Sequence, residues 1–132
     1  MTAIRLSALL FVVVTGGCAA VTTIEGERLP IGSDAFERYV ETVFRQQNGT
    51  ATEIAFELES PELADVDRQA LEVSEQSLLE ACGALNELAA RRRDGQRLGM
   101  LRGARAARQA PVCERAEIAA RNVIDRITRA DD

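Results

Sequence analysis

The chain has 132 residues, 21 of them acidic and 16 basic, for a formal net charge of −5. All the basic residues are arginine; lysine, histidine and tryptophan are absent. The missing histidine removes the commonest general base and metal ligand, and the length fits one domain around one modest core.

The chain opens with Arg5 and a nine-residue apolar run, Leu6–Val14, followed by the small residues Thr15, Gly16 and Gly17 and then Cys18. The run lies within the ~7–15 residues of a signal h-region and well short of the ~20 that cross a bilayer as a helix. No second apolar segment of that kind follows. The layout resembles the lipobox of bacterial lipoproteins, with Thr15 and Gly16 where leucine and alanine are more usual. The resemblance covers residues 1–18 only. It implies that residues 1–17 are a signal peptide and that Cys18 is lipidated and becomes the first residue of the mature protein. Ala19 in the next position, rather than aspartate, implies the outer membrane facing the periplasm in a Gram-negative cell; a Gram-positive host would imply the plasma membrane. The alternative is an ordinary secretory signal cut elsewhere, with Cys18 incidental.

Residues 18–32 read as the lipidated terminus and a tether, because Thr22, Thr23, Gly26, Pro30 and Gly32 break any periodicity. Residues 33–132 read as an all-α domain, a small bundle of four or five helices. The first spans about 34–47, capped by Ser33 or Asp34, with Phe36, Val40, Val43 and Phe44 on one face, Tyr39 at its margin, and Asn48-Gly49 as a left-handed stop. Residues 51–59 carry two patterns. Ile54, Phe56 and Leu58 alternate as in a strand, whereas Thr50 with Glu53 resembles a second capping box; a short helix is the expectation. Ser60-Pro61 supplies an N-cap and first-turn proline for a long helix over about 61–93, with Leu71, Leu78 and Leu85 at intervals of seven, Ala81, Cys82, Leu88 and Ala89 beside them, and a hairpin turn at Asp94-Gly95. A further arm over 97–109 would turn Leu98, Leu101 and Ala104 inward. Its small residues, Gly95, Gly99, Gly103 and Ala107, form a ridge for close helix approach. Pro111 would open the last helix, facing inward through Ala116, Ala120, Val123, Ile124 and Ile127.

With Cys18 lipidated, Cys82 and Cys113 remain. Twelve residues from Cys82 to the turn, at ~1.5 Å each, are matched by the return towards Cys113, so the two cysteines reach one level. In an oxidising envelope that favours a disulfide between the hairpin and the last helix; two separate buried thiols are the alternative.

Charge is unevenly placed. Residues 19–87 hold fifteen acids and four arginines, and residues 88–132 hold eleven arginines and six acids. Arg91, Arg92, Arg93, Arg97, Arg102, Arg105 and Arg108 lie around and beyond the turn. Two readings stay open for them: ion pairing with the acidic half, or contact with an anionic membrane or partner; a periplasmic domain has little nucleic acid to meet, so no nucleic-acid partner is expected.

No catalytic constellation, metal-ligand cluster, phosphate loop or cofactor motif stands out, and no small-molecule substrate is evident. Carboxylate pairs such as Glu57/Glu59 and Asp65/Asp67 read as helix surface charge. The expectation is therefore a non-catalytic, membrane-tethered envelope lipoprotein that binds or braces an envelope component, another protein or peptidoglycan. A rival of a different class is a periplasmic inhibitor or modulator of a hydrolase such as a lysozyme.

Overall fold

The computed structural model describes residues 19–96 and 100–130, with Met100, Leu101, Arg102 and Ala130 described by backbone alone. Residues 1–18, including Cys18, lie outside the described residues, as do Arg97, Leu98 and Gly99.

The first described residues are not an irregular tether. Strands β1 (Ala20–Thr22) and β2 (Arg28–Pro30) form an antiparallel hairpin in which Val21 faces Leu29. Thr23 builds the turn: its carbonyl accepts from Gly26 N–H at 3.0 Å and its hydroxyl from Glu27 N–H at 3.1 Å. Val21 and Leu29 are the central residues of the two strands, and both are buried with Phe36 and Ala107 in a small cluster of their own. A three-residue hairpin is marginal alone; here it is held by the helices beneath it. At its open end Ile31 N–H donates to Ala19 O at 2.9 Å. Gly32, at φ +88°, then turns the chain into a helix, a conformation that costs glycine little.

That helix, α1 (Asp34–Leu58), is capped by Ser33, whose hydroxyl accepts from Phe36 N–H at 3.2 Å. It does not stop at Asn48-Gly49. The short helix expected over 51–59 is its continuation. Thr50 and Ile54 are fully buried one and two turns beyond Phe44 and Gln47, and that burial outweighs the ~1 kcal/mol cost of an interior glycine. Asn48 donates back to Phe44 O at 2.8 Å and Thr52 to Asn48 O at 2.9 Å, so both side chains satisfy the helix rather than end it.

Helix α2 (Asp65–Arg93) begins four residues later than Ser60-Pro61 promised, with Ala64 at its N-cap and no side-chain cap. Ser60-Pro61 closes α1 instead: Glu59 and Ser60 N–H return to Phe56 O and Glu57 O. Arg68, in the first turns of α2, donates to Leu58 O at 2.6 Å and to Ser60 O at 3.0 Å. One guanidinium thus satisfies carbonyls that the end of α1 leaves without partners. Helix α2 ends as expected, with Asp94 at the C-cap and Gly95 at φ +69°.

The arm over 97–109 and the last helix are one element, α3 (Met100–Ala130), with Pro111 inside it. Proline there deletes an N–H that would have bonded to Ala107 O, yet the helix runs on because Ala110, Pro111 and Cys113 are all buried against the bundle. Among the described residues the domain therefore has three long helices and a two-stranded sheet, not four or five helices alone.

The core joins all three helices: Val43 and Ile54 from α1; Leu71, Leu78, Cys82 and Leu85 from α2; Ala110, Cys113, Ala120, Ile124 and Ile127 from α3. The largest helix interface is between α2 and α3. A disulfide joins Cys82 to Cys113 there, with their Cα atoms 4.6 Å apart. It closes 31 residues of chain, a loop length for which a bridge contributes about 2–4 kcal/mol. Alanine makes the close approach: Ala106 and Ala110 are buried there, whereas a Cβ at Gly103 would meet nothing within 4 Å. The expected glycine ridge does not form the contact at Gly103, and Gly95 serves the turn.

Gly49 offers a direct check on the uninterrupted first helix. An added Cβ there meets nothing within 4 Å, so Gly49→Ala raises stability by about 0.5–1 kcal/mol in denaturant unfolding. A left-handed stop at this position would give the opposite sign.

Candidate functional site

The inward polar groups are concentrated where α1 meets α3. Thr50 donates to Glu117 Oε1 at 2.7 Å, and Arg121 returns Nε to the same oxygen at 3.1 Å. The other nitrogens of Arg121 reach Thr50 Oγ1 at 2.6 Å and Glu53 Oε2 at 3.2 Å. Glu117 is 5% exposed and Thr50 is fully buried. The Arg121 guanidinium is held above its ordinary value by its hydrogen bond to Glu117, against desolvation, and by the Glu117 and Glu53 carboxylates. One turn away, Gln47 donates to Asn86 Oδ1 at 2.8 Å and links α1 to α2. Among the described residues no buried side-chain nitrogen or oxygen lacks a partner. These groups are spent on one another, which fixes how the helices sit. Sequence reasoning passed over Thr50, Glu117 and Arg121 as this cluster. Its only trace is the Glu117/Arg121 spacing of four, which many exposed pairs share.

A second polar contact lies under the hairpin. Tyr39 donates its phenol to Glu114 Oε2 at 2.6 Å, in an open cleft that Thr23, Glu25 and Glu27 of the hairpin also line. Burial and then the Glu114 carboxylate push the Tyr39 phenol well above its ordinary value.

The sequence-predicted arginines collect at the end of the bundle where α1 starts, α2 stops and α3 begins. Arg91 reaches Glu87 of its own helix, Nε to Oε1 at 3.0 Å, and Arg93 lies 3.6 Å from neighbouring Asp94. Arg92 borders a groove of about 240 Å³ with Glu37, Val40, Phe44 and Leu88. Arg105 borders an open groove of about 570 Å³ between α2 and α3, with Glu80, Glu87 and Gln109. Arg108 is exposed. Arg97 and the side chain of Arg102 lie outside the described residues. Among the described residues none of these members pairs with a carboxylate of another helix; the ion pair between helices is Arg121–Glu53, from α3 to α1. Cys82 and Cys113 are brought together in the disulfide. Among the described residues no three cysteine, aspartate or glutamate side chains gather where a metal ion could be held, and no helix is long and apolar enough to cross a membrane.

No family model, curated protein or solved structure matches the chain.

Two measurements test these contacts. Thr50→Val removes a hydroxyl that both donates to Glu117 and accepts from Arg121, and lowers unfolding stability by about 1–3 kcal/mol; Thr50→Ser retains most of it. Tyr39 is the one tyrosine in a chain without tryptophan, so near-ultraviolet phenolate absorbance reports it alone. Because the phenol is raised from 10.0 only in the folded chain, the stability it contributes is complete below that value and declines as the pH climbs past it. Phenolate absorbance stays absent at about pH 11 while the helices persist and rises with alkaline unfolding, whereas a free tyrosine would be mostly ionised there.

Proposed function

We propose that this chain is a non-catalytic lipoprotein of a bacterial cell envelope, moored through Cys18, whose helical domain binds or braces another envelope component. The observation that carries it is the apolar run Leu6–Val14 ending in Thr15-Gly16-Gly17-Cys18. Two features of the domain suit that address. The Cys82–Cys113 bridge belongs to an oxidising compartment. The inward polar set of Thr50, Glu117 and Arg121 is saturated by its own members, as expected of a brace rather than a reaction centre. The absence of histidine also leaves nucleophilic catalysis without its usual base.

Intact-mass measurement on the protein extracted from membranes of a bacterial host tests the anchor. The expected mass is that of residues 18–132 carrying a diacylglyceryl group, with or without an amide-linked third chain. Cys18→Ser is expected to abolish acylation and cleavage after Gly17. A chain that retains Met1, or a mature chain with an unmodified Cys18 thiol, overturns the proposal. Crosslinking in intact cells followed by membrane purification then tests the bracing role, which requires a stoichiometric envelope partner.

A further inference from the structure

From the surface that α2 and α3 turn away from α1 we infer that the chain pairs with a second copy of itself. Helix α2 of each protomer lies against α3 of the other, about a twofold axis parallel to the helices. The inference adds a partner for the domain and does not depend on the state of Cys18.

Helix α1 covers one side of the α2–α3 pair. Its polar contacts with α3 run through Glu114, Glu117 and Arg121, which share one face of that helix. Among the described residues nothing covers the other side. Val66, Val73, Glu80 and Glu87 repeat every seven residues along α2 and so form one row. Glu80 and Glu87 line the open groove, with Ala84 between them and Arg105 and Gln109 across it on α3. From Gln109 the same side of α3 continues through Val112, Ala116 and Ala119 at helical spacing. Val66, Val73 and Val112 are exposed there. Over the shared ~33 Å of the two helices this strip covers roughly 650 Å² per copy, within the ~600–1,000 Å² that each partner gives to a standard interface.

The charges beside the strip select its occupant. Helix α2 presents Glu80, Ala84 and Glu87 one turn apart, and α3 presents Arg108, Val112 and Arg115 at turn spacing. The disulfide sets their levels. Glu87 lies five residues after Cys82 and Arg108 five before Cys113, while Glu80 lies two before the one and Arg115 two after the other. All four charged residues are exposed. In one chain the two rows stand on opposite outer edges of the helix pair. Glu80 accepts from Gln76 and Glu87 from Arg91, each on its own helix. Among the described residues Arg108 and Arg115 have no carboxylate within salt-bridge distance. A half-turn about an axis parallel to the helices, centred on the strip, keeps every level and exchanges the edges. It sets Glu80 against the partner's Arg115, Glu87 against the partner's Arg108 and Ala84 beside the partner's Val112. The alternative twofold, with α2 on α2, would set acid on acid. Complementary charge thus fixes both the partner and the register.

Sedimentation equilibrium of the full chain, purified from bacterial cells in a detergent matched to the solvent in density, reports protein mass alone. The expected mass is that of two copies. Glu80→Arg with Glu87→Arg sets arginine against arginine, and Arg108→Glu with Arg115→Glu sets glutamate against glutamate. Each pair of changes is expected to weaken self-association about a hundredfold, with the helices verified by circular dichroism. An equal mixture of the two variants is expected to recover the dimer, as is one chain carrying all four changes. A wild-type chain that sediments as a monomer, alone or with a different protein, overturns the inference. So does a dimer that either reversal leaves intact, or one that both reversals dissociate and the mixture does not restore.

Discussion

The close contact of α2 with α3 at the Cys82–Cys113 bridge governs this molecule. A Cα separation of 4.6 Å is near the short end of what a disulfide spans. Helices so close leave room for little more than alanine, and Ala106 and Ala110 supply the facing side of α3. The bridge also fixes register. With Cys82 opposite Cys113, Leu78 and Leu85 fall one turn to either side, in the same core as Ala110, Ala120 and Ile124. Helix α1 then closes the remaining side with Val43 and Ile54.

Position within that frame is set by polar contacts rather than by more apolar surface. The chain has one tyrosine, four phenylalanines and no tryptophan, and Phe56 is among its exposed residues. Large rings therefore do little to define the packing. A hydroxyl, a carboxylate and a guanidinium at Thr50, Glu117 and Arg121 fix α1 against α3, and Gln47 with Asn86 fixes it against α2. Such a network stabilises only when complete, because a half-satisfied member carries its desolvation cost alone.

The long-range periodicities were legible from residue order. Leu71, Leu78 and Leu85, the turn at Asp94-Gly95 and the level of the two cysteines follow from a helix's fixed rise and repeat, which neighbours do not alter. The breaks were not legible, because local stop signals were outweighed by packing that no local window contains. Asn48-Gly49 and Pro111 both sit inside helices whose buried residues continue on each side. Ser60-Pro61 marks an end rather than a beginning because Arg68, eight residues on, caps it. The hairpin escaped for a related reason: three-residue strands have too few positions to show alternation. For the candidate surfaces, the arginine cluster could be read directly as a run of charge. The Thr50–Glu117–Arg121 contact could not, since its members are 67 and 71 residues apart.

Both bridged sulfurs belong to residues with no exposed surface. An oxidant cannot reach them while α2 and α3 are docked, and neither can a reductant. The bond must be set while the chain is still open, so it records the conditions under which the protein folded. A copy that collapsed with both thiols intact would keep them sealed away after arriving in an oxidising compartment. The domain's covalent state is thus inherited from the moment of assembly, not adjusted to later surroundings.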